Sequence, residues 1–153
     1  MEIFINKRFN GPPNSGNGGY VAGLIAKEIG KCCEVKLVAP PPLEKKLLLK
    51  KSNENCELYD GETLVCIANT TSIDNDPCEF VSFSDALIGS KNGLSKFEPI
   101  HAMPDCFVCG PNRKEGDGLR LFTGPQDLDS KPSEDNLVST TWIPDKGLSS
   151  DGK

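Results

Sequence analysis

The sequence is poor in histidine, in clustered basic residues and in long apolar runs. His101 is the single histidine and lies in a predicted linker. No Ser-His-Asp or Cys-His nucleophile set can therefore be assembled around it. The formal net charge is −5 and no lysine or arginine cluster is interleaved with aromatic residues, which argues against a nucleic-acid partner. No apolar run approaches the length of a membrane span, so we expect no membrane association. The first residues also lack a basic region followed by an apolar signal core, and we therefore expect a cytoplasmic protein.

Cysteine, by contrast, is frequent, with seven residues in 153. The count is odd, and Cys66 lies in an apolar context between valine and isoleucine, so most of these residues are expected to be reduced, buried small hydrophobes. Cys106 and Cys109 have the spacing of half a zinc site. With Cys78 and His101 they could supply four ligands, although without a recognisable spacing, so we expect no metal and no cofactor.

The same Cys106–Cys109 pair also has the spacing of a thioredoxin-like redox motif. Such a motif is expected at the N-terminus of a helix that follows a strand. Here Gly110 and Pro111 come directly after the pair and favour a turn. The sequence therefore favours a structural role for this segment.

The most informative segment is a polar, charge-free loop over residues 9–16 that precedes an apolar helix over about 17–30. Gly18 and Gly19 fall in the first turn of this helix, where the absence of a side chain lets a ligand approach the backbone. The N–H groups of a first turn have no partner within the helix and suit an anionic oxygen, either of a phosphate or of an acyl-transfer oxyanion. A structural turn that packs the helix closely on a sheet remains the alternative.

The order of strand, glycine loop, helix and strand is superficially that of a dinucleotide-binding motif. The first predicted strand is too far from Gly16 for that motif. In addition, the strand after the helix ends at Ala39 and three prolines, where a ribose-binding acidic residue would be required. Dinucleotide binding is therefore not favoured.

Alternating polar and apolar residues predict an antiparallel sheet around this helix. Because apolar residues cover most of the helix circumference, we expect it to be buried on several sides. Asp60 and Gly61 predict a hairpin turn. The predicted elements are a strand at 2–5, the helix at 17–30, and strands at 34–38, 46–59 and 63–71.

The remainder of the chain predicts a second, smaller unit without a second buried helix. We divide the chain into a first unit at 1–75, a linker at 76–104 with a helix at 82–88, and a second unit at 105–153. Strand candidates lie at 119–122 and 137–142, and the acidic segment 124–136 is expected to be mobile. Since two strands cannot form a stable domain, residues from about 105 onward should add to the first sheet or pair with another chain, giving a homodimer.

Three stretches of the chain resemble the acyl-CoA thioesterase-like hotdog superfamily in its two-unit form. They are Phe9–Pro13 with Gly16–Tyr20, Val35–Leu43 with Asp60–Val65, and Cys106–Pro111 with Gly116–Phe122 and Trp142–Asp145. The resemblance implies an α+β hotdog fold, in which a curved antiparallel sheet wraps a central helix. It also implies a second, incomplete hotdog unit, because the second central helix would begin beyond Lys153.

The resemblance implies a protein that hydrolyses or binds a small to medium acyl-CoA thioester. It assigns the oxyanion contact to Gly18 and Gly19, and the orientation of the carbonyl or a water to Asn17, where many relatives have histidine. For hydrolysis it implies a carboxylate as base or nucleophile, often supplied by the partnering unit. Asp60, Glu62 and Asp85 are expected to be solvated. The alternative is a non-catalytic acyl-binding module or a truncated remnant. The remaining substrate contacts are assigned to Asn10, Gly16 and Tyr20.

Overall fold

The computed structural model describes residues 1–52, 55–74, 80–129 and 137–148. The chain is α+β and divides into two compact units, residues 1–76 and 77–153. The segment assigned to a linker on sequence grounds contains a helix that contacts strands of the second unit. None of the described helices is long and apolar enough to cross a lipid bilayer.

The first unit contains an antiparallel sheet of 5 strands in the order β1-β3-β4-β5-β2. The alternation in β3 shows why it forms, because Leu47 and Leu49 are buried while Leu48 and Lys50 face outward. The strands are β1 (Glu2–Phe4), β2 (Cys33–Leu37), β3 (Lys46–Lys51), β4 (Asn55–Asp60) and β5 (Thr63–Thr70).

Helix α1, Gly18–Ile29, crosses the buried face of this sheet and supplies Val21 and Ile25 to the core. It ends at Gly30, whose φ of 72° lies in the left-handed region that glycine adopts readily. The expectation that α1 is buried on several sides is wrong. Gly19, Gly23 and Lys27 are exposed, because they lie one turn apart on the helix face opposite the sheet.

The core of the first unit draws on every strand except the edge strand β2, whose Val35 packs against it only partly buried. Its members are Ile3, Ile5, Val21, Ile25, Leu47, Leu49, Cys56, Leu58, Val65, Cys66 and Ala68. Cys56 and Cys66 are buried as thiols, and desolvation raises the pKa of Cys66 to about 11. These two cysteines behave as small hydrophobic residues, which the apolar sequence context predicts for Cys66.

The hairpins of the sheet correct one sequence prediction and agree with another. The single strand predicted at 46–59 is wrong, since β3 and β4 are separate antiparallel strands in which Leu49 faces Leu58. The two strands are joined at Ser52 and Asn55, where the Ser52 N–H donates to the Asn55 carbonyl at 2.9 Å. The turn predicted at Asp60–Gly61 joins β4 to β5, with Gly61 at a φ of 59°.

The second unit is built on helix α2, Phe83–Phe97, which is longer than the helix predicted at 82–88. Ser82 caps it, because its Oγ accepts a hydrogen bond from the Asp85 N–H at 3.1 Å. Strands β6 (Gly124–Pro125) and β7 (Val138–Ser139) pair with each other and contact α2. Within the described residues the five-stranded sheet contains strands of the first unit only, which contradicts the first of the two predicted alternatives. The second alternative, pairing with another chain, stays a prediction.

Glycines let α2 approach these strands backbone against backbone. A Cβ placed on Gly93 would lie 2.7 Å from the Thr123 carbonyl oxygen, and one placed on Gly89 would lie 2.9 Å from the Gly124 carbonyl oxygen. Real Cβ atoms do not approach a carbonyl oxygen so closely, so both positions require glycine. Ser90 adds polar contacts, since its Oγ accepts a hydrogen bond from the Thr141 N–H at 2.8 Å.

The strand predicted at 119–122 is wrong, although this segment does run beside residues 107–108. The N–H groups of Leu119 and Leu121 donate to the carbonyl oxygens of Phe107 and Val108, each at 2.8 Å. Arg120 between them has a φ of 53°, which interrupts an extended strand. Most of the segment predicted to be mobile, residues 130–136, lies outside the described residues.

Candidate functional site

The loop before α1 is held by backbone hydrogen bonds on both sides. The N–H of Gly16 donates to the Pro41 carbonyl at 2.7 Å, and the N–H of Asn17 donates to the Phe9 carbonyl at 2.8 Å. Asn10 forms an isolated antiparallel bridge with Gly16. These contacts with Phe9 and Pro41 set the position of the first helical turn.

Gly16 is buried and has a packing reason to be glycine. A Cβ at this position would lie 3.1 Å from Val21 Cγ2 and 3.2 Å from Ile5 Cγ2. Both neighbours belong to the core of the first unit. The close packing of loop on core therefore explains Gly16 without a ligand.

Asn17 caps the helix, and this capping decides which backbone groups remain available. Its Oδ1 accepts a hydrogen bond from the Tyr20 N–H at 3.1 Å, and its carbonyl accepts from the Val21 N–H at 3.0 Å. No hydrogen bond in the described part of the chain uses the N–H of Gly18 or Gly19. Two adjacent donors at the positive end of the helix dipole are therefore left for a ligand or for water.

A groove with a volume of about 450 Å³ lies beside this helix start. Its lining is largely apolar and includes Gly16, Gly18 and Ser15. None of the described residues that line it carries an ionisable side chain. The other lining residues are Pro12, Pro13, Leu37, Val38, Ala39, Pro40 and Pro41.

The six residues predicted to form the site are only partly brought together. Gly16 and Gly18 line the groove, whereas Asn17 and Gly19 flank Gly18 along the chain. Tyr20 instead stacks on Phe9, with ring centroids 3.9 Å apart, and burial raises its pKa despite the nearby Arg8 charge. Neither Tyr20 nor Asn10, whose Nδ2 donates to the Gly11 carbonyl at 3.2 Å, is among the groove residues.

The three carboxylates that the sequence offers as candidates for a base or nucleophile lie in surroundings other than the groove. Asp60 forms an exposed ion pair with Lys45, with Nζ and Oδ2 3.1 Å apart. Asp85 belongs to the cap of α2, where its Oδ2 accepts a hydrogen bond from Ser82 at 2.6 Å. Glu62 is exposed at the hairpin turn after β4. None of the three lines the groove.

The second unit contains a cavity of about 410 Å³ that the sequence did not predict. His101 and Cys109 both line it, with apolar walls that include Leu94, Phe97 and Leu121. His101 Nδ1 accepts a hydrogen bond from the Met103 N–H at 3.1 Å, so the ring proton of the neutral imidazole is on Nε2. The spacing of the two cysteines was visible in the sequence, but not their position beside the end of α2.

No group of three or more potential metal ligands occurs among the residues that the structure describes. Cys78, one of the four ligands considered for zinc, lies outside those residues. Comparisons with protein-family models, with curated proteins and with solved structures gave no significant match.

Proposed function

We propose that the first unit binds a small to medium acyl thioester such as an acyl-CoA. The thioester carbonyl oxygen would accept hydrogen bonds from the N–H groups of Gly18 and Gly19, and the acyl chain would lie in the adjoining groove. The observation that carries the proposal is the pair of first-turn N–H groups, which have no partner among the described residues and lie beside an apolar groove. It rests also on the resemblance to hotdog thioesterases, and a helix on a five-stranded antiparallel sheet is compatible with that fold.

The chemistry of the groove suits this ligand. Backbone N–H groups at a helix N-terminus stabilise partial negative charge on an oxygen, and the carbonyl of a thioester carries such charge. A volume of about 450 Å³ lies within the range of small-molecule sites, and the proline, leucine and valine walls favour a hydrocarbon chain.

Binding without turnover is favoured over hydrolysis by the groove itself. Hydrolysis needs a base or nucleophile near the carbonyl, and no ionisable side chain is found among the described residues that line the groove. A thioesterase activity would require a carboxylate from a second copy of the chain or from another unit. We retain it as the second candidate, because the two free N–H groups are also what an oxyanion requires. A cytoplasmic location, where thiols stay reduced, accompanies the proposal.

Titration of the protein with acyl-CoAs of increasing chain length, combined with a free-thiol assay, tests the proposal. The decisive variant is Gly18→Val. It should fold, because the atom that a Cβ at position 18 would meet is Leu37 Cδ1, 3.2 Å away, and the Leu37 side chain is exposed and can move aside. Gly23→Val is the matched control, because the same substitution in the same helix meets no atom within 4 Å.

We expect the wild type to bind acyl-CoA without releasing the free thiol. The affinity for acyl-CoA should be at least tenfold weaker in Gly18→Val and unchanged in Gly23→Val. Thiol release that is lost only in Gly18→Val would instead identify a thioesterase. Equal binding by wild type and a folded Gly18→Val would remove this groove from the site.

A further inference from the structure

The segment Cys106–Gly110 forms a tight turn that places two thiols side by side. The N–H of Gly110 donates to the Cys106 carbonyl at 2.8 Å, which closes one turn of backbone around residues 107–109. Residues three apart on such a turn face the same side. Glycine is required at 110, because a Cβ there would lie 2.6 Å from the Cys106 carbonyl oxygen.

The two thiols differ in access. Both are reduced, and the neighbouring Cys106 thiol adds to the rise in the pKa of Cys109 that burial causes. Cys106 is only 3% exposed, whereas Cys109 is half-buried and lines the cavity of about 410 Å³. Phe97 and Ile100 in the cavity wall are 42% and 74% exposed, so the cavity opens to solvent. Cys109 is therefore the more accessible of the two cysteines.

We propose that Cys106 and Cys109 form a redox-active dithiol that reduces low-molecular-weight disulfides, of which oxidised glutathione is the probe. The Cys109 thiolate attacks one sulfur of the disulfide, whose S–S bond breaks, giving a mixed disulfide and one thiolate. The Cys106 thiolate then attacks the Cys109 sulfur and releases the second thiolate. Both released thiolates take up the protons lost by the two cysteines, so two protein thiols and one disulfide become one protein disulfide and two thiols.

The surroundings of Cys109 decide the speed and direction of this exchange. Burial, together with the contact to Cys106, raises the pKa of Cys109 to about 11. The thiol is therefore protonated at neutral pH, and the thiolate fraction rises about tenfold for each pH unit below that value. Since the raised pKa means that the Cys109 thiolate is disfavoured, the reduced form of the pair is not favoured either, and the pair acts as a reductant.

Incubation of the folded protein with oxidised glutathione, followed by alkylation and peptide mapping, tests the proposal. The tryptic peptide Phe97–Arg113 contains both cysteines and no other. We expect this peptide to lose two hydrogens and both alkylation sites, about tenfold faster for each pH unit between pH 7 and 9. The matched control, Cys32→Ser, removes an exposed thiol elsewhere and should leave this result unchanged.

The order of attack is tested by substituting each cysteine. Cys106→Ser should stop at a mixed disulfide of one glutathione on Cys109, whereas Cys109→Ser should leave Cys106 unmodified. A wild-type peptide in which both cysteines remain alkylatable overturns the proposal, even if neither variant folds. A mixed disulfide on Cys106 in place of Cys109 overturns it as well.

Discussion

Asn17 determines where helix α1 begins and which N–H groups remain available at its start. Its Oδ1 is already engaged with the Tyr20 N–H, so the amide is not a free donor–acceptor pair aimed at a ligand. The resemblance implies that Asn17 orients a carbonyl or a water. This role must be compatible with the capping of helix α1 by the same side chain. Any effect of its substitution on ligand binding has to be separated from an effect on the helix.

Asn17→Ala should lower the free energy of unfolding of the first unit by about 1 kcal/mol, since the N-cap acceptor is lost. Asn17→Ser retains an acceptor oxygen and should recover most of that stability. Urea unfolding followed by far-ultraviolet circular dichroism measures both. An Ala variant as stable as the wild type would show that the cap contributes nothing in solution.

Two glycines of α1 should respond in opposite directions to alanine. Gly23→Ala should raise the free energy of unfolding by about 0.5–1 kcal/mol, because it removes backbone entropy where nothing lies within 4 Å. Gly30→Ala should lower it by about 1 kcal/mol, since its φ of 72° strains an L-residue. The same sign of change for both variants in urea unfolding would contradict this account of how α1 ends.

Among the elements, helix α2 depends on glycine as an interior helix normally does not. Gly89 and Gly93 are buried and one turn apart, and each faces backbone oxygens of residues 122–124 or 139. In most helices glycine at such positions costs stability relative to alanine. Here the close approach of the strands reverses that preference.

Gly93→Ala should therefore destabilise the second unit by about 1–3 kcal/mol through overpacking against backbone atoms that cannot rotate away. Trp142 is the single tryptophan and belongs to the second unit, so its fluorescence follows the unfolding of that unit in urea. Gly23→Ala in α1 is the control and should leave the Trp142 transition in place. A stabilised Gly93→Ala variant would mean that α2 does not pack as described.

The elements also show what the sequence could and could not predict. Helix α1 and the β4–β5 turn were predictable, since Asn17, Gly30 and Gly61 are local signals that act on their own neighbours. The segment around Arg120 was predicted as a strand because of its apolar residues. The prediction failed because Arg120 adopts a positive φ, which interrupts an extended strand. The groove and the cavity combine residues distant in sequence, and no local pattern encodes that combination.

At the scale of the whole molecule, the first unit carries its own core. All eleven members of its buried cluster lie between Ile3 and Ala68. A fragment of residues 1–76 should therefore fold alone and unfold cooperatively in urea, with a midpoint close to that of the same unit in the full chain. Dispersed amide signals in a nuclear magnetic resonance spectrum would show folding, and a collapsed, non-cooperative fragment would contradict the prediction.

The association state of the full chain remains a prediction from the sequence. Strands β1 and β2 are the edges of the five-stranded sheet, and an edge strand presents unpaired backbone groups to another chain. We expect a homodimer in light scattering across a tenfold range of concentration. A monomer over the whole range would mean that these edges stay unpaired.

The glycine contacts of α2 have a thermodynamic consequence. The buried apolar side chains described in the second unit are few, namely Ala86, Cys106 and Phe107, because backbone meets backbone where other helices bury leucine or isoleucine. The heat capacity change of unfolding increases with the apolar surface that unfolding exposes and decreases with the polar surface that it exposes. The second unit should thus unfold with a smaller heat capacity change per residue than the first. Its stability curve would be flatter, and cooling would weaken it less than it weakens the first unit.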